Sequence, residues 1–289
     1  MMRSTWRLLA VALATLIGAA AAAAPVAITW SVAPTQPDEN RLRNADFAQR
    51  DNAGPVQWEF TTAIPDNFEV GWSEVGRSAP GSARINTLTG SMSGYWTQTV
   101  PVTEGERLLV LAHVRLVGGT VLLWLTGSPL MADGTRGRFD ERFELPSMKS
   151  FFLAPTWIDP RYLRGPDSER WVPLLRAIDI PAMEALRVGI GSYFQRGEMW
   201  IDDAYAGPAQ VDLTIDLSAR DGGRITSVEV VAVPDRTLAS EAIEQGVERW
   251  TYTARGIDPE QGIVVRGTMV DGEQFARRIF PPQSGRWED

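Results

Sequence analysis

Short runs of period-two hydrophobicity, broken again and again by glycine and proline, most narrow what this chain can become. Arg107–Val117 (RLLVLAHVRLV) places Leu108, Val110, Ala112, Val114 and Leu116 on one face, with His113 and Arg115 opposite. Gly118-Gly119 turns it into Thr120–Thr126 (TVLLWLT), a hairpin signal. Leu186–Ile190 and Glu198–Tyr205 form a second strand pair around Gln195-Arg196-Gly197. No amphipathic stretch longer than about ten residues shows a helical period. The chain therefore reads as all-β: a jelly-roll β-sandwich over 40–208, then a smaller immunoglobulin-like β-sandwich over 209–281.

The second unit rests on Val211–Leu217 and Ser227–Val233 flanking Arg220-Asp221-Gly222-Gly223, and on Ile263–Val270 and Phe275–Phe280 flanking Asp271-Gly272. Ser240–Gln245 reads as a single helical turn. Residues 25–39 hold three prolines and read as a tether or an exposed N-terminal strand, so 24–39 is assigned as a linker. Residues 282–289 form a C-terminal tail. At the other end, Arg3 and Arg7 precede an apolar run from Leu8 to Ala24, the pattern of a secretory signal peptide over 1–23. An uncleaved anchor is the alternative, since spanning takes about 20 apolar residues.

Composition removes most chemistries. With no Cys there is no disulfide, thiolate nucleophile or lipobox. His113 and Lys149 are the only residues of their kinds, which excludes HExxH zinc sites and a P-loop. With 28 basic and 36 acidic residues the net charge is −8, and −10 once Arg3 and Arg7 leave with the leader. An acidic exported chain is a poor partner for nucleic acid or anionic membrane. The expected location is secreted or periplasmic, with no membrane span after cleavage.

From Asn44 to Pro208 the chain resembles the family 4/9-type carbohydrate-binding modules, which share the galactose-binding-like jelly roll. The resemblance is carried, in order, by Asn44-Ala45-Asp46-Phe47, by Pro80-Gly81-Ser82-Ala83-Arg84-Ile85 and by Tyr95-Trp96-Thr97-Gln98-Thr99-Val100. It continues through Trp171, Ile180-Pro181 and Leu186-Arg187-Val188 to Met199-Trp200-Ile201-Asp202-Asp203. It implies a non-catalytic module holding a polysaccharide or glycan, and a structural calcium joining the first and last strands. Ala48 stands where many members carry Glu, leaving Asp46 and Asp202 as the expected calcium ligands. No cofactor is otherwise required.

Sugars present apolar C–H faces to aromatic rings and hydroxyls to planar polar side chains, so a site needs both in a concavity. The chain has 11 Trp. Trp58, Trp171 and Trp200 lie where core packing is expected. The sugar groove is expected from Trp96 and Gln98 on one strand face, His113 and Arg115 on the next, and Trp124, with Trp72 and Tyr193 on the rim. The long Gly127–Arg170 segment holds six aromatics and reads as a lid or docking patch. Two alternatives stand beside glycan binding. One is an envelope interaction module docking a protein partner through 127–170; the other is a cryptic glycan-active hydrolase using Asp140, Glu141 or Glu144.

Overall fold

The computed structural model describes residues 24–78, 80–89, 92–118, 121–143, 171–194 and 196–280. The expected leader and tail therefore lie outside the described residues, as does most of the 127–170 segment. The strands, in order, are β1 (Val26–Pro34), β2 (Arg50–Asp51), β3 (Gly54–Pro55), β4 (Glu59–Thr62), β5 (Phe68–Ser73), β6 (Ser82–Thr87) and β7 (Gly94–Pro101). There follow β8 (Arg107–Gly118), β9 (Val121–Gly127), β10 (Phe139–Phe143), β11 (Val172–Asp179), β12 (Ala185–Ser192) and β13 (Gly197–Pro208). The last six are β14 (Val211–Ala219), β15 (Ile225–Ala232), β16 (Arg236–Val247), β17 (Arg249–Ile257), β18 (Ile263–Met269) and β19 (Gln274–Phe280). Among the described residues there is no α-helix, and no helix long and apolar enough to cross a membrane.

The first sandwich has a front sheet ordered β10-β9-β12-β7-β4 and a back sheet ordered β11-β8-β13-β6-β5, all antiparallel. The chain passes from β4 in front to β5 and β6 behind, to β7 in front, and so on alternately to β13, which is jelly-roll topology. Alternation explains which face each strand buries. On β8 the expected set, Leu108 to Leu116, points into the space between the sheets, where it meets Val100, Leu123, Val188, Ile190 and Ile201.

The other face of β8 is not polar where the sequence is apolar. Leu109 and Leu111 belong to a second core, together with Leu175 of β11, Tyr205 of β13 and the inward residues of β14, β15, β17 and β18. A strand buried on both faces reads as a near-continuous apolar run, as LLVLA does. The bulge on β13 completes the junction. Asp203 adopts φ +47 and the pairing register with β8 shifts between Asp202 and Tyr205. Ile201 and Ala204 therefore both face the first core, while Tyr205 swings onto the second. Its hydroxyl donates to the Gln36 carbonyl at 3.2 Å.

The second sandwich pairs a three-stranded sheet, β1-β14-β17, with a four-stranded one, β16-β15-β18-β19. Two sequence expectations are decided here. Of the two readings of residues 25–39, the strand is the one present and the linker is not: β1 pairs with β14 along its whole length, from Val26 opposite Ala219 to Pro34 opposite Val211. Val26, Ile28, Trp30 and Val32 do alternate, and the flanking prolines obscured this. The second sandwich thus takes an edge strand from ahead of the first. Ser240–Gln245 is not a helical turn but part of edge strand β16, whose backbone pairs with β15.

Because Leu109, Leu111 and Tyr205 are shared, the two sandwiches should unfold as one cooperative unit. Leu111→Ala should cost about 2–5 kcal/mol and lower a single calorimetric transition. Two resolved transitions, only one of them shifted, would show the sandwiches to be independent.

Candidate functional site

The outer face of the front sheet gathers polar and aromatic groups on either side of β12. On β12, Leu186, Val188 and Ile190 are buried in the core, so Arg187, Gly189 and Gly191 take the outward parity. Register builds three cross-strand rows. Glu59, Thr97, Gly189 and Trp124 form one; Thr61, Tyr95, Gly191 and Leu122 the next; Thr99, Arg187 and Thr126 the third. The two glycines are themselves buried, and their neighbours leave no room for a side chain. A Cβ on Gly191 would lie 2.0 Å from the Gly94 carbonyl oxygen, and one on Gly189 would lie 3.3 Å from that of Trp124. Arg187 is the residue of β12 that reaches solvent on this side.

One end of this face is aromatic. Tyr95, Leu122 and Tyr193 cluster with Trp124 packed against them. The Tyr95 and Trp124 rings lie 5.1 Å apart, and Tyr193 meets Phe194 edge-on at 4.9 Å. Tyr95 and Tyr193 are themselves only 6% exposed. They brace the half-buried Trp124 and the 49% exposed Phe194. Phe194 sits at φ +44, a left-handed conformation that costs a bulky residue energy and turns its ring outward.

The other end is polar. Arg187 Nη2 donates to Thr61 Oγ1 at 2.7 Å and to Thr97 Oγ1 at 3.0 Å. Thr97 Oγ1 in turn reaches the Glu59 carbonyl at 3.1 Å. Glu59 Oε2 lies 3.9 Å from the same guanidinium, but its side chain is 81% exposed, so the attraction is screened and weak.

Of the residues expected to form the groove, the structure brings together Trp124 and Tyr193 and separates the rest. Trp96 is 2% exposed and packs between the sheets, edge-on to Phe60 at 5.3 Å. Its outward neighbours on β7 are Tyr95 and Thr97. Gln98 shares Trp96's side at the sandwich rim, where its amide clamps Arg43 and Gln57: Oε1 accepts from Arg43 N at 2.7 Å, and Nε2 donates to both carbonyls. Trp72 lies on the back sheet's edge strand. Its indole N–H donates to the Phe47 carbonyl at 2.7 Å, and the Arg50 guanidinium sits 4.0 Å over its ring. Arg115 and His113 lie on the outer face of the back sheet, Arg115 against Trp200 at 5.1 Å. They cannot share a surface with Trp124, because two sheets and a core intervene. The residues missed are Tyr95, Arg187 and Phe194. The signal for the first was present: Val100 shares Trp96's parity and marks that face as the inner one. Asp140 and Glu141 have no described side chains, and Glu144 lies outside the described residues.

The two expected calcium ligands both accept backbone hydrogen bonds. Asp202 is buried, and its two oxygens accept from Arg77 N and Asp203 N, each at 2.7 Å. Asp46 Oδ1 accepts from Ala48 N at 3.3 Å. Among the described residues, no group of three or more His, Asp or Glu side chains gathers that could hold a metal. Asp202 closes the β13 bulge. Burial pushes its pKa up to about 6 against the backbone N–H of Arg77, which works the other way. Directly across the strand pair, burial and then the charge of Arg77 bring the His113 pKa down to about 4.

No protein-family model matches the chain, and no curated protein matches it. Among solved structures it is similar to the enzymatically active domain of tailspike protein 4 from bacteriophage CBA120, at 12% identity and TM-score 0.40, covering 59% of this chain and 22% of that one. A family 22 xylan-binding domain from Paenibacillus barcinonensis gives 13% identity and TM-score 0.34, covering 56% of this chain and 90% of that one. A family 61 carbohydrate-binding module in complex with β-1,4-galactotriose gives 14% and 0.35, covering 58% and 98%. All three scores lie below 0.5, so the site stands on the residues of this chain.

Two outcomes follow for the buried cluster. The melting temperature should be the same in millimolar calcium and in excess chelator; a rise of several degrees with calcium would restore the metal site. Stability should also depend on pH in a defined way. The unfolded His113 takes a proton near its ordinary 6.5 and the folded one only near 4, so its contribution is lost as pH falls through that window. Asp202 acts oppositely. The folded carboxyl keeps its proton to about 6 and the unfolded one releases it near 3.8, so stability falls as pH rises between them. The two slopes largely cancel from pH 4 to 6. In His113→Gln, denaturant unfolding should show stability declining across that range; a profile parallel to the parent's would exclude the assignment.

Proposed function

We propose that this is an exported, non-catalytic glycan-binding protein that holds a polysaccharide chain on the outer face of the front sheet. The observation that carries the reading is the grouping of aromatic and polar side chains on that face. The half-buried Trp124 and the exposed Phe194 stand at one end, and hydroxyls with a fixed guanidinium at the other. A sugar ring needs a flat apolar platform and planar or hydroxyl hydrogen-bonding groups beside it, and both are set here on neighbouring strands rather than on loops. Export rests on the leader-like residues 1–23, and an accessory role to an enzyme or an envelope assembly fits a protein that binds without turning over. The binding-only reading draws on the poverty of nucleophiles and bases in the sequence.

The test is a glycan panel read by intrinsic fluorescence and affinity electrophoresis on the whole chain. Trp124→Ala should abolish retardation while leaving the melting curve near that of the parent. Phe194→Ala should weaken binding several-fold. Trp96→Ala should instead cost about 3–5 kcal/mol of stability. Retardation by no member of a wide panel would end the glycan reading, and undiminished binding by both the Trp124 and the Phe194 variants would move the site elsewhere.

A further inference from the structure

We propose that the outer face of the front sheet selects acidic glycans, those carrying uronic-acid carboxylates, and that Arg187 is the residue that reads the carboxylate. The proposal rests on the glycan reading of the same face and adds the class of sugar to it.

Arg187 projects from β12, the central strand of the front sheet, to its outer face. Its guanidinium carries five N–H donors. Both hydrogens of Nη2 are taken by neutral hydroxyls, those of Thr61 and Thr97. Among the described residues, Nη1 and Nε have no hydrogen-bond acceptor. The two threonines therefore fix the plane of the fork without neutralising it. A fixed, still-charged guanidinium matches a planar carboxylate far better than a sugar hydroxyl, because charge-assisted bonds are shorter and about twice as strong as neutral ones. The side chain is 39% exposed, open enough to be reached and buried enough to be held.

Glu59 is the one described carboxylate near it. At 3.9 Å from Nη2 it lies at the limit of an ion pair, makes no hydrogen bond to Arg187, and its 81% exposure leaves it free to swing into water when a ligand carboxylate arrives. The chain as a whole works against indiscriminate attraction. Its net charge of −8 repels polyanions, so a preference for acidic over neutral sugars has to come from a local cation.

The experiment titrates the full chain with oligogalacturonate and oligoalginate, each beside its carboxyl-reduced counterpart, at two salt concentrations. Expected is about tenfold tighter binding of the acidic member of each pair, the size of one charge-assisted interaction, narrowing at high salt. Arg187→Gln should bring the acidic affinity down to the neutral one. Arg187→Lys, which keeps the charge but not the fork, should retain part of the preference and guards against a folding artefact. Glu59→Gln should widen the preference a few-fold.

Equal affinity for both members, abolished for both by Trp124→Ala, would overturn the carboxylate proposal and leave the glycan reading standing. A preference that survives Arg187→Gln would overturn it too. Binding to none of the four probes or any neutral glycan would overturn both.

Discussion

The double burial of β8 is the constraint on which the rest of this molecule depends. Leu108, Val110 and Ala112 fill the jelly-roll core, and Leu109 and Leu111, one position out of phase, fill the core of the second sandwich. Over the stretch that holds Leu109 and Leu111 the back sheet is committed to architecture. The candidate groups Trp124 and Arg187 lie on the outer face of the other sheet. The ion pairs of Arg107 with Asp258 and Glu260, at 3.3 and 2.9 Å, sit at the edge of the same junction, but they are exposed and add little beside the apolar contact.

The β13 bulge shows how a small irregularity serves that arrangement. A regular strand could not place Ile201 in one core and Tyr205 in the other while keeping Ala204 and Ala206 inside the first. One extra residue at Asp203 changes the parity. The carboxylate of Asp203 is held outside by Arg77 at 2.6 Å and Ser78 at 2.9 Å, and that of Asp202 is folded inward onto two backbone N–H groups. The paired Asp thus stabilises the turn at the bulge. His113, neutral and buried beside it, belongs to the same arrangement.

Much of this fold is legible residue by residue. The inward set of β8, the hairpin turn at Asp271-Gly272 and the alternation of VDLTIDL in β14 all follow from period-two patterning, because one buried face leaves that signature. Edge strands were harder. β16 is mostly exposed and takes its stability from backbone pairing with β15, which leaves no hydrophobic pattern to read. The candidate site was half legible. Trp124 on β9 and Tyr193 just past β12 could be named as aromatics, but their neighbours depended on which of two adjacent residues of β7 faces out. A shift of one residue reverses every side chain on a strand, so choosing Trp96 over Tyr95 replaced a braced outer ring with a core one.

By itself the sequence determined the class of the molecule: all-β, acidic, without thiols and nearly without imidazole or amine, and hence suited to binding through rings and hydrogen bonds. Those are properties of residue types and local spacing, which no packing arrangement can change. Only the tertiary structure decided which sheet each strand joined, and so which side chains became neighbours. It carried Arg115 and His113 behind the core, brought Thr61 and Thr97 across β7 to fix Arg187, and drew the first described strand into the far sandwich. Pairing between residues more than a hundred positions apart leaves no trace in local spacing, because it is set by how two hydrophobic faces meet.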